Sequence, residues 1–159
     1  MIITDIYNKP EKTSPLYQVC EEVEDFEKES YQIAALLESH IDDKRMLGLA
    51  ANQIGILKRA FYMRGVVFFN PVVEPIGDEM VKMTEGCLSY PDLFIDIKRP
   101  RRVSMTYKNV DGEEYTKTFT EMSARIIQHE FDHLNGIPFF KRATRYHFDK
   151  AKKNLKKKA

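Results

Sequence analysis

Phe26, Ile33, Leu36, Leu37 and Ile41 stand among Glu, Lys and Ser at the spacing of one apolar helix face, so an amphipathic helix packed on a core is predicted there. The segment before it is turn-rich, with Pro10 and Pro15. Residues 46–55, MLGLAANQIG, place Gly48 and Gly55 among small side chains, a composition for close backbone approach that predicts a loop. From Ala60 to Tyr107 the pattern changes to short β-rich runs, RAFYM, VVFFNP, EMVKM and FIDIK, broken by Gly65, Pro71, Pro75, Gly77, Pro91 and Pro100. Val103, Met105 and Tyr107 then alternate with polar residues, and Tyr115, Lys117 and Phe119 alternate with Thr. Asn109-Val-Asp-Gly112 between them predicts a hairpin with one buried face.

Beyond the hairpin Ser123 is a candidate helix cap, and ARIIQHEFDHL runs without Gly or Pro until Gly136 and Pro138 end it. A last helix is predicted from about 145 to 158, with Phe148, Ala151 and Leu155 on one face and Lys on the others. No repeat and no linker interrupts the chain, which reads as a single domain over residues 1–159 of mixed α+β class.

The 159 residues are 43% apolar and 31% charged, which fits a folded domain and excludes a disordered chain. A formal charge of +1 argues against nucleic acid as the main partner. No signal or transit peptide is visible, and no apolar run approaches the roughly 20 residues that span a bilayer, so no membrane association and a cytoplasmic location are expected. Cys20 and Cys87 are expected as free thiols, Cys20 as small core filler.

HEFDH places His129 and His133 at i and i+4 on one helix face, where two imidazoles reach a single ion, with Glu130 beside the first. Zinc peptidases with this motif need a third ligand, commonly a later Glu or a His six residues past the second one. No Glu follows Glu130, and Phe139 stands where that His would be. Cys87, His40, His147 and Asp149 remain, because Asp132 projects away from the face the two histidines share. Of these, Cys87 offers a soft thiolate next to Gly86, whose bare backbone permits close approach.

GLAANQ at 48–53, EGCLS at 85–89 and QHEFDHLNG at 128–136 together resemble, in order and in spacing, the three signature motifs of the peptide deformylase family. The resemblance covers roughly residues 20 to 145. It implies antiparallel sheets packed around the central HExxH helix, with N- and C-terminal helices. It also implies that Cys87, His129 and His133 bind one divalent metal ion and leave a fourth position for water, as in open catalytic sites. Fe(II) is the family's usual ion, with Zn, Ni or Co accepted.

The activity so implied is removal of the N-formyl group from formyl-methionyl nascent peptides, with Glu130 taking a proton from water and passing it to the departing amine. Gln53 and the Leu88 backbone N–H would stabilise the oxyanion. Gly48, Leu47, Glu85, Gly86, Met122 and Ile126 are the expected substrate contacts, Gly48 by strand addition and Leu47, Met122 and Ile126 around the methionine side chain. The sequence departs from the family at Met46, where Gly is usual, at Asn52, where Pro or Thr is frequent, and between Met63 and Val66, which is short. These departures bear on the groove and leave the metal ligands in place. The Lys-rich last helix is a candidate ribosome-docking surface, and a monomer is expected. Two other readings are a metallopeptidase that uses His147 or Asp149, and a metal-binding or ribosome-binding module without turnover.

Overall fold

The computed structural model describes residues 1–5, 12–42 and 46–158; Pro10 lies outside them. Seven strands, β1 (Gly48–Ala50), β2 (Ala60–Met63), β3 (Val66–Pro75), β4 (Met80–Cys87), β5 (Tyr90–Pro100), β6 (Arg102–Lys108) and β7 (Glu114–Thr120), are described together with three α-helices. The helices are α1 (Glu29–Ser39), α2 (Glu121–Leu134) and α3 (Arg145–Lys158). Five strands form one antiparallel sheet in the order β1-β2-β3-β6-β7, and β4 and β5 form a second.

Strand β2 and residues 67–69 of β3 are apolar on both faces because both faces are covered. Phe61, Met63 and Phe68 pack with Ala124, Ile126, Ile127 and Leu134 of α2. Ala60, Val67 and Phe69, the alternate positions, pack with Ile33 and Leu37 of α1. This double cover accounts for runs such as VVFF, in which no polar residue alternates. A third cluster, Leu16, Tyr90, Leu93, Ile95, Ile97, Phe139 and Ala151, joins β5 to α3. The antiparallel sheets around the HExxH helix α2 match the architecture implied by the motifs.

Four local expectations are corrected. Residues 46–55 are not a plain loop: Gly48–Ala50 pair with β2, and Ala51–Ile54 make a 3-10 turn closed by Gly55 at φ +85°. Helix α2 begins with Thr120 as its N-cap, and Ser123 instead accepts a hydrogen bond from the Arg64 guanidinium at 3.1 Å. The β6–β7 hairpin buries Val103, Met105 and Tyr107 of β6, but β7 is the outermost strand and is exposed along nearly its whole length. Leu36 in α1 is exposed, the apolar stripe narrowing to Ile33 and Leu37. The short connection after Met63 is a two-residue turn of Arg64 and Gly65, both at positive φ, as a tight right-twisted hairpin requires.

Candidate metal centre

Helix α2 brings His129, Glu130 and His133 onto one buried face, all less than 10% exposed. Cys87 reaches the same place from the end of β4, after a register shift between Gly86 and Cys87. One ligand atom from each of Cys87, His129 and His133 lies within 4.8 Å of the others, and the Cys87 Sγ is 3.2 Å from the His133 Nε2. Among the described residues this is the one such group. His40, His147 and Asp149 lie elsewhere: His40 is bonded to the Leu36 carbonyl, His147 to Thr144, and Asp149 pairs with Lys152. A peptidase that takes His147 or Asp149 as third ligand is therefore not the arrangement formed.

The donor set suits a borderline divalent cation, since one thiolate and two imidazoles match Fe(II), Co, Ni or Zn chemistry. Two further observations fit an ion. The Glu130 Oε2 is buried without a hydrogen-bond partner beside these donors, and His129 already commits its Nδ1 to Glu85, leaving Nε2 for the ion. The Nδ1 of His133 is likewise buried without a partner.

Glu85 points inward. Its carboxylate takes bonds from Arg99 (2.7 and 3.0 Å), Arg125 (2.6 Å) and His129 (2.9 Å). Within the protein this side chain therefore contacts the His129 ring and the two guanidinium groups. Asp132 extends the network, receiving Arg99 at 2.7 Å and Arg142 at 2.7 and 3.0 Å. It leaves the shared histidine face as its helical position predicts. Arg99, Arg125 and Ser89 were not singled out from the sequence. Arg99 stands in KRPRR, where the fold buries it while Lys98 and Arg102 stay exposed.

Electrostatics follow from burial and from these partners. Burial pushes the Glu130 carboxyl up to about 7, against the opposing pull of His129. Burial acts to raise Glu85 as well, but the bonds and charges of His129 and Arg99 outweigh it and hold that carboxyl well below the usual range. Burial drives His133 well below an ordinary imidazole, aided by the charges of His129 and Arg99, so its lone pair is free. Burial acts the same way on His129, yet Cys87 and Glu85 overcome it and raise that ring.

Gln53 faces the metal ligands from the 3-10 turn. Its Oε1 accepts from the Ala50 N–H at 2.9 Å, while its Nε2 points to the Cys87 Sγ (3.6 Å) and donates to the Ser89 Oγ (3.1 Å). Asn52 is fully buried and donates to the His133 carbonyl at 2.6 Å, tying this turn to the end of α2. A Cβ on Gly48 would lie 2.7 Å from the Glu130 Oε1 and 2.8 Å from the Ile126 Cγ2, so only glycine lets β1 lie this close to them. A Cβ on Gly86 would meet the Phe94 ring at 2.6 Å. Ile126 is buried in the main core, whereas Leu47, Leu88 and Met122 are exposed. Met46 packs against the cluster beneath α1.

The polypeptide deformylase family model matches residues 3–149. A peptide deformylase of Wolbachia pipientis wMel is 39% identical over 132 residues, 72% of this chain and 74% of that protein. One from Pseudothermotoga lettingae is 44% identical over 96 residues, 58% of this chain and 56% of that one. Among solved structures, Plasmodium falciparum peptide deformylase in complex with an inhibitor superposes with a TM-score of 0.87 at 29% identity, covering 99% of this chain and 97% of that one.

Proposed function

The chain belongs to the polypeptide deformylase family, hydrolases that remove the N-formyl group from nascent chains, and from that premise we propose the role of each residue at its metal centre. Cys87, His129 and His133 hold one divalent ion, Fe(II) in the cell and replaceable by Zn, Ni or Co. The observation that carries this is the convergence of their three donor atoms within 4.8 Å, beside the partnerless Glu130 Oε2. When bound, such an ion supplies Lewis acidity, polarising the formyl oxygen and making water easier to deprotonate.

The protein's own groups do the rest. Glu130 takes a proton from water as the oxygen adds to the formyl carbon, then delivers it to the amine nitrogen as the C–N bond breaks, so that formate and a free methionyl amine leave. A carboxylate buried beside the ligands is placed to take the proton from water and to return it to the amine. The Gln53 Nε2 and the Leu88 N–H face the oxyanion and stabilise the negative charge that grows there. Gln53 is preorganised for this, its oxygen fixed by Ala50 and its nitrogen by Ser89.

The formyl-methionyl peptide lies extended along β1, the edge strand opposite β7, with the Gly48 and Gly86 backbones on either side. The methionine side chain sits among Leu47, Met122 and Ile126. The protein acts as a monomer in the cytoplasm, as one unit over residues 1–159. No helix among the described residues is long and apolar enough to cross a membrane. Exposed Lys150, Lys153, Lys156, Lys157 and Lys158 on α3 form a basic surface for ribosomal RNA.

Stripping the protein with a chelator and titrating Fe(II) back anaerobically, while following formate release from formyl-Met-Ala, tests this assignment. Activity is expected to return as one ion binds per chain, and Cys87→Ala to abolish both. Full turnover by stripped protein, or by Cys87→Ala, contradicts it.

A further inference from the structure

The two groups assigned to the oxyanion lie on separate segments, Gln53 on the 3-10 turn after β1 and Leu88 on the β4–β5 turn. The start of the chain runs between them. The Ile3 N–H donates to the Gln53 carbonyl at 2.7 Å, and the Asp5 N–H donates to the Ser89 carbonyl at 2.8 Å. Asp5 also hydrogen-bonds the Tyr17 hydroxyl, which accepts from the Tyr90 hydroxyl at 3.1 Å. The Ile3 side chain packs with the cluster that contains Tyr90, and its Cδ1 comes within 3.8 Å of the Cβ position of Gly55.

These contacts close a ring. Going round it, Ile3 holds Gln53, Gln53 Nε2 holds the Ser89 hydroxyl, and the Ser89 carbonyl is held by Asp5. Ser89 is fully buried and directly follows Leu88, so a shift of its carbonyl moves the Leu88 N–H. β1 and β4 belong to different sheets and share no ladder hydrogen bonds, so sheet pairing does not fix the distance between the two donors.

We infer that residues 3–5 are a positioning strap that sets the separation of Gln53 and the Leu88 N–H by bonding the backbone of each segment. Neither Ile3 nor Asp5 touches the metal ligands in any contact described above; they act through Gln53 and Ser89. The inference rests on the deformylase assignment of those two donors. Oxyanion donors stabilise the transition state more than the ground state, so a slack strap lowers kcat and leaves KM and metal binding nearly unchanged.

Proline at position 3 or 5 removes the bonding N–H, while alanine keeps it and removes only the side chain. Each variant is assayed for kcat and KM on formyl-Met-Ala, for bound metal and for thermal melting. The cobalt-loaded forms are also compared by the thiolate-to-cobalt absorption band, which reports the Gln53 Nε2 contact at Cys87. Ile3→Pro is expected to lower kcat roughly tenfold or more, short of the ~10²–10³-fold of losing a donor outright. KM should stay within about threefold, one ion should stay bound, and the cobalt band should shift. Ile3→Ala should keep kcat within about threefold of wild type. Asp5→Pro cuts the other end and should give the same split, so the test does not depend on one variant folding. Wild-type kcat in the proline variants, or losses that match those of the alanine variants or merely follow lost metal and melting temperature, overturns the strap. A wild-type protein that releases no formate overturns the family assignment instead, and the two failures are distinct.

Discussion

The Nδ1 of His129 lies 2.9 Å from the Oε1 of Glu85, and the same carboxylate is held by Arg99 and Arg125. One proposed ligand is therefore oriented by a residue on the strand that carries another, since Glu85 and Cys87 are two positions apart on β4. Replacing Glu85 with Gln should weaken metal affinity by roughly 10–100-fold, because a neutral amide oxygen replaces the carboxylate that orients the ring and raises its basicity. Glu85→Ala should cost a further loss of folding stability of roughly 3–5 kcal/mol, because the buried Arg125 guanidinium loses its carboxylate partner and Arg99 keeps only Asp132. Isothermal metal titration and urea unfolding measure the two effects separately.

Gly48→Ala tests the close approach of β1 to the proposed base. The new methyl would meet Glu130 and Ile126 at 2.7 and 2.8 Å, so one of them must move. A displacement near 1 Å of a reacting group costs about 10²-fold in rate. The expectation is a kcat lowered by between ten- and a hundredfold in a protein that still binds one metal ion, measured by formate release and metal analysis.

Cys20 gives a pH dependence with a definite sign. Burial raises its thiol from 9.0 to about 11, against the charge of Arg59. The folded state thus holds the proton more tightly than the unfolded state does. The stability this gives is complete below pH 9 and is lost as pH rises through 9 toward 11. Urea midpoints should fall across that window more steeply for the wild type than for Cys20→Ala, and the native thiol should resist iodoacetamide at pH 8.

The lysines of α3 are expected to act outside the chemistry. Reversing charge at Lys153, Lys156 and Lys157 should reduce ribosome co-sedimentation and flatten its salt dependence, with formyl-Met-Ala turnover unchanged. Equal sedimentation by both proteins at every salt concentration would leave the tail without that role.

What could be read from the sequence and what could not divides along physical lines. The i, i+4 histidines, the end of α2 just before Gly136 and the apolar face of α3 depend on local spacing, and each is found where spacing puts it, whereas the N-cap of α2 is not. The Cys87 position came from motif order, because its partners are about 40 residues away and no periodicity links them. Residues 46–55 were misread because a three-residue edge strand carries too short a pattern to register. The Glu85–Arg99–Asp132 network was invisible for a different reason: charged residues read as solvated until tertiary packing buries them together. The bonds from Ile3 and Asp5 use backbone N–H groups, which carry no side-chain signature at all.

The central claim is that Glu130 moves the proton while Cys87, His129 and His133 hold the ion. Anaerobically prepared Fe(II) protein and its Glu130→Gln variant, assayed side by side for formate release from formyl-Met-Ala and for bound metal, test it most directly. The account expects turnover by the wild type, at least a hundredfold less by the variant given the ~10²–10⁴-fold contribution of a positioned general base, and one ion in each. No formate from the metal-loaded wild type, as a module without turnover would show, or undiminished turnover by Glu130→Gln, would contradict it.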